Sequence, residues 1–151
     1  MRNVLVIAYA ALTSCTVDGW EYSPLLEKMS LIEMQATAST TSTSAWDILW
    51  DHSTQPCSGN WAGVRCNADG YVSHLYLNSK KLGGKLFDKF YFFRDLEQLW
   101  LAGNDITNEL PASIGSLDDL TYLDISGNHF VGQIPASFGS LQNLQVRYRC
   151  Y

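Results

Sequence analysis

Leu120-Thr-Tyr-Leu-Asp-Ile-Ser-Gly-Asn-His-Phe-Val-Gly-Gln-Ile-Pro-Ala-Ser-Phe-Gly139 is one turn of a repeat. Moving the frame back by 24 residues gives Leu96-Glu-Gln-Leu-Trp-Leu-Ala-Gly-Asn-Asp-Ile-Thr-Asn-Glu-Leu-Pro-Ala-Ser-Ile-Gly115, in which most of the apolar positions, the first Asn, the Pro and two of the three Gly coincide. Val72, Leu96, Leu120 and Leu144 mark the period. Leu75, Leu99 and Leu123 keep it, as do Leu77, Leu101 and Ile125, then Leu82, Ile106 and Phe130, then Leu86, Leu110 and Ile134. Asn104 matches Asn128, Pro111 matches Pro135, Gly115 matches Gly139 and Leu117 matches Leu141. That many positions in one register identify a solenoid.

The physics of the pattern is direct. Leu-x-x-Leu-x-Leu alternates inward and outward as a short strand must. Inward residues stack on their equivalents one coil away, because no coil can bury its apolar face alone. Asn104 and Asn128 sit where the chain leaves the strand, and their amides can satisfy backbone groups that the turn leaves unpaired. Pro111 and Pro135 suit the extended far side of the coil, and Gly115, Gly132 and Gly139 suit tight bends. The fold expected is an α/β solenoid of short parallel strands over 72–146, with coils at 72–95, 96–119 and 120–143 and the start of a fourth.

Ahead of the coils stands Trp50-x5-Pro56-Cys57-x3-Trp61-x-Gly63-Val64-x-Cys66. Cap and coils in this order closely resemble plant-type leucine-rich-repeat proteins, over about 46 to 146: receptor kinases, receptor-like proteins and polygalacturonase inhibitors. The resemblance implies a right-handed superhelix with its strands on the concave face. It implies a disulfide between Cys57 and Cys66, stapling an N-terminal cap in which Trp46, Trp50 and Trp61 pack. Closing so short a loop is worth about 2–3 kcal/mol in the chain-entropy model. Two reduced buried thiols are the alternative; no His or Cys set has metal-site spacing. Two departures stand out: Lys80 occupies the Asn position of the first coil, whose far side (Phe87 to Phe93) lacks Ile-Pro, and Asn108 stands where the family has Gly.

Residues 1–17 read as an export signal: Arg2, the apolar run Val4 to Leu12, then small residues. The run is too short to span a bilayer. A buried strand or helix start is the plain alternative. Leu12-Thr13-Ser14-Cys15 also matches a bacterial lipobox, which would make Cys15 a lipid anchor. The expected location is secreted or at the cell surface. Residues 18–71 form the cap region. Within it, Leu25, Leu26, Met29 and Ile32 recur at near-helical spacing, with Ser23 as cap and Pro24 at the first helical position. The Thr/Ser-rich stretch 36–45 reads as a loop. At the other end Arg147 falls where an apolar residue is due, and 147–151 read as a truncated end. Leaving three or four large apolar side chains uncovered would forfeit about 5–10 kcal/mol. The expectation is a fragment of a longer protein, or an end covered by a partner or by self-association. Cys150 has no assigned mate.

The 151 residues carry a formal net charge of −5, which gives no footprint for nucleic acid. His52, His74 and His129 share no motif, and Asp118, Asp119 and Asp124 are spaced for solvation, so the reading is not an enzyme and needs no cofactor or metal. The outward strand residues are the binding candidates: His74 and Tyr76, Gln98 and Trp100, Tyr122 and Asp124. Stacked, they form a strip with Tyr76, Trp100 and Tyr122 adjacent, and aromatic residues on a rigid scaffold are the usual material of hot spots. The resemblance implies an extracellular module that binds a protein or peptide ligand, a co-receptor or a cell-wall molecule, in recognition, signalling or defence. A secreted inhibitor of a cell-wall-degrading enzyme and an ectodomain fragment of a receptor-like kinase are the alternatives it leaves open.

Overall fold

The computed structural model describes residues 24–38, 50–51, 53–58 and 61–146. The expected leader, Ser23, Trp46, His52, Arg147 and Cys150 lie outside them. Helix α1 (Pro24–Ala38) begins at the proline, whose fixed φ and missing N–H suit the first turn. Five strands follow, β1 (Val64–Cys66), β2 (Val72–Tyr76), β3 (Gln98–Trp100), β4 (Tyr122–Asp124) and β5 (Gln145–Val146), forming one sheet in sequence order. β1 runs antiparallel to β2. The other neighbours are parallel, with Leu75, Leu99 and Leu123 in register.

The 24-residue period reappears in the hydrogen bonds. Leu77 N–H donates to Trp100 O (2.8 Å) and Leu101 N–H to Asp124 O (2.7 Å). Beyond the strand, Thr107 N–H donates to Gly84 O and Val131 N–H to Asn108 O. The coil then reaches a proline and a short 3-10 turn, Ala112–Ser116 or Ala136–Ser140, before the next strand. Leu75, Leu77, Leu96, Leu99, Leu101, Leu117, Leu120 and Leu123 are fully buried, each stabilising by about 1.5–3 kcal/mol. The far side of the first coil replaces Ile-Pro with phenylalanines: Phe87, Phe90 and Phe93 are buried in a chain of ring contacts.

Asparagines tie the coils together. Asn104, wholly buried, donates from Nδ2 to Leu77 O and Leu101 O, both at 2.7 Å, and its Oδ1 accepts Lys80 N–H at 2.7 Å. Asn128 repeats this one coil on, reaching Leu101 O and Ile125 O and accepting from the N–H groups of Asn104 and Ile106. Lys80 needs no amide of its own, because the next coil's asparagine serves its backbone. Asn108 has φ +69°, the left-handed region that Gly132 also adopts (φ +81°), and Asn tolerates it better than other non-glycine residues do.

Several expectations need correction. α1 runs to Ala38, so Ala36, Thr37 and Ala38, expected in a loop, are helical, and the rest of that stretch lies outside the described residues. Its buried face is Glu27, Ser30, Leu31 and Met34; Leu26, Met29 and Ile32 are only partly covered. The cause is polar: the Glu27 carboxylate accepts the Val72 N–H at 2.8 Å, which turns the helix toward the first strand. Gly115 does not make a bend by positive φ; a Cβ there would lie 2.4 Å from Ser137 O, so it lets two 3-10 turns approach. Ile134, counted among the stacking positions, is 61% exposed, whereas Leu86 is 3% exposed under the coil laid over it.

The cap closes the first coil. Cys57 and Cys66 are joined by a disulfide. Trp50 and Trp61 stack at 5.0 Å, their indole N–H groups donating to Ala62 O and Thr54 Oγ1. Gly63 (φ +82°) accepts Tyr76 N–H at 2.7 Å, and a Cβ there would strike Tyr76 O. Lys89 pairs with Glu33 of α1 at 2.9 Å. Burial, then Asp88, raises the Glu33 carboxyl above its usual range, and burial lowers Lys89. Both shifts oppose the ion pair, so desolvation outweighs it here.

Candidate ligand-binding face

Strand alternation decides which side chains reach the concave face. In β2, β3 and β4 the leucines point inward, leaving His74 and Tyr76, Gln98 and Trp100, and Tyr122 and Asp124 half-buried on the outer side. Parallel pairing sets His74 beside Gln98 beside Tyr122, and Tyr76 beside Trp100 beside Asp124. The rings form a continuous row. His74 and Tyr76 lie 5.7 Å apart, Tyr76 and Trp100 6.0 Å, and Trp100 stacks on Tyr122 at 4.0 Å. The six residues read from sequence are therefore brought together.

Polar contacts hold the row in place. Gln98 Oε1 accepts from Trp100 Nε1–H at 3.2 Å and from Tyr76 O–H at 3.4 Å. Asp124 Oδ1 accepts from Ser126 N–H and Oγ–H, which fixes its carboxylate beside the turn. His74 Nδ1 meets Ser73 Oγ at 2.9 Å. Asn78 serves the scaffold, its Oδ1 accepting Ala102 N–H at 2.7 Å.

Arg65 was not legible as part of this face. Its guanidinium lies 5.5 Å from the Tyr76 ring centre and extends the row into the cap. The antiparallel pairing of Arg65 with His74 places it there, and that pairing, interrupted by a bulge, has no periodic trace in the sequence. A second concavity, an open lateral groove of about 1120 Å³, includes Lys85, Glu109, Pro111, Val131 and Ile134. Among the described residues no group of three or more His, Cys, Asp or Glu is placed to hold a metal ion. Nor is any described helix long and apolar enough to cross a membrane.

A family model described as Leucine Rich Repeat matches residues 95–117 and 119–141. Phytosulfokine receptor 1 of Arabidopsis thaliana is 40% identical over 67 residues, 43% of this chain and 6% of that protein. Residues 95–141 thus carry leucine-rich repeats, and the chain is similar to plant leucine-rich-repeat receptors. The leucine-rich-repeat ectodomain of the receptor kinase SOBIR1 from Arabidopsis thaliana superposes with a TM-score of 0.61 and 27% identity, covering 81% of this chain and 63% of that one. The plant peptide hormone receptor RGFR1, solved in complex with RGF2, matches with a TM-score of 0.51 and 36% identity, over 57% of this chain and 13% of that one. The leucine-rich-repeat chain spans 6–7% of the length of the curated relatives it matches.

Proposed function

We propose that this leucine-rich-repeat chain binds a peptide or protein ligand on its concave face, outside the cell, as part of recognition or signalling, and that it does so without catalysis. The observation that carries the reading is the row Tyr76, Trp100 and Tyr122, held on a rigid parallel sheet and braced by Gln98. Rings fixed before binding lose little side-chain entropy when a ligand arrives. The disulfide supports an oxidising compartment. The likeness to a receptor solved with a peptide hormone supports the ligand class.

The test uses the full chain with its disulfide intact. A random linear peptide library is displayed and selected on it, and the best peptide is measured by biolayer interferometry against wild type, Trp100→Ala and Ile134→Ser. Truncating a central aromatic anchor should weaken binding at least about tenfold, and the lateral substitution should leave it within about twofold. Enrichment of no peptide, or a peptide sensitive to Ile134→Ser and indifferent to Trp100→Ala, contradicts the reading.

A further inference from the structure

We infer that Gln98 is the polar anchor of this face, its side-chain NH2 donating to a backbone carbonyl oxygen of the ligand; the inference rests on the concave-face reading above. Gln98 occupies the middle strand of three, between His74 and Tyr122 in register. The indole N–H of Trp100 is a donor only, so the Gln98 atom 3.2 Å away has to be the amide oxygen. The Tyr76 hydroxyl donates to the same oxygen. Flipping the amide would set its NH2 against the indole N–H. Both donors of Nε2 are thereby aimed away from the braced oxygen. They have no acceptor among the described residues.

The surroundings select the acceptor. Aromatic edges carry partial positive charge and favour an oxygen placed beside them. One face of Trp100 is covered by Tyr122 and one face of Tyr76 by Arg65, which leaves ring edges among the surfaces that the row offers. A ligand carboxylate would meet the fixed Asp124 carboxylate one strand away on a chain of net charge −5. A neutral carbonyl suffers no such repulsion. A bound peptide that places a carbonyl here exchanges water on Nε2 for a directed hydrogen bond between aromatic walls.

Gln98→Glu tests this nearly isosterically. It keeps an oxygen for Trp100 and Tyr76 and turns the outward donors into an acceptor. With the peptide selected above, Gln98→Glu should bind at least about tenfold more weakly than wild type at pH 7. Near-UV circular dichroism of the Trp100–Tyr122 stack should be unchanged. Protonation should restore a donor, so the ratio to wild type should recover as pH falls through the carboxylate range, about 4.3. Binding within about twofold of wild type at pH 7, or a loss that does not recover in acid, overturns the anchor role. A tighter complex with Gln98→Glu overturns it too and points to a donor on the ligand. These results leave the concave-face reading standing if Trp100→Ala still weakens binding at least about tenfold; indifference to Trp100→Ala sinks that reading instead.

Discussion

Asn104 gives the sharpest test of how the coils hold together. Asn104→Ala strips Leu77 O of its 2.7 Å donor and Lys80 N–H of its acceptor. Leu101 O keeps a partner, because Asn128 Nδ2 also donates to it at 2.8 Å. One buried carbonyl left unsatisfied costs about 1–3 kcal/mol, and the half-buried Lys80 N–H, which water can reach, adds about 1 kcal/mol. The expected loss is therefore about 2–4 kcal/mol out of a total that for such domains is about 5–15 kcal/mol. Asn104→Asp should be worse at pH 7. It keeps the acceptor for Lys80 and faces the carbonyls of Leu77 and Leu101 with a buried negative charge, a penalty of about 3–5 kcal/mol. Burial and facing carbonyls raise that carboxyl's folded pKa, so its stability deficit should shrink as pH falls and grow as pH rises through the folded value. Urea unfolding followed by tryptophan fluorescence at pH 7 and pH 4 measures all of this, with the slope m checking that the transition stays cooperative. An Asn104→Ala cost below about 1 kcal/mol would refute the reasoning, as would Asn104→Asp proving the more stable of the two at neutral pH.

Three further outcomes are expected. Gly115→Ala should cost about 1–3 kcal/mol because its Cβ would meet the Ser137 backbone at 2.4–2.5 Å. Gly139→Ala, with nothing within 4 Å, should stay within about 0.5 kcal/mol in the same urea assay. Replacing Cys57 and Cys66 together by Ser should lower stability by about 2–3 kcal/mol while leaving the far-UV circular dichroism of the coils intact, since the Trp50–Trp61 stack and the β1–β2 pairing still close the first coil. Burial and then Asp88 raise Glu33, so its folded form binds a proton more readily than its unfolded form. Its contribution is complete below the unfolded value and is lost as pH rises through the folded one. Glu33→Gln should flatten that part of the stability–pH curve, read by thermal melts across and just above the ordinary carboxylate value of about 4.3.

The coils were legible because their constraint is repeated. A leucine every 24 residues, an asparagine after the strand and a proline before the 3-10 turn are each the local solution to stacking, and repetition exposes them. Alternation within Leu-x-x-Leu-x-Leu then fixed which residues face outward, so the row from His74 to Asp124 could be read before any contact was seen. The cap was less legible. The rotation of α1 depends on a buried Glu27 meeting a backbone N–H 45 positions away, and hydrophobic spacing alone pointed to Leu25, Leu26, Met29 and Ile32. Arg65 joins the face through an unrepeated antiparallel pair. Gly115 looked like a bend because glycine has two uses, positive φ and close approach, and only the distance to Ser137 separates them.

The central claim is that ligands meet the concave row. Amide hydrogen exchange on the full oxidised chain, with and without the selected peptide, tests it most directly. The account predicts added protection in the segments 74–79, 98–103 and 122–127. Protection confined to 107–113 and 131–136, along the lateral groove, would contradict it.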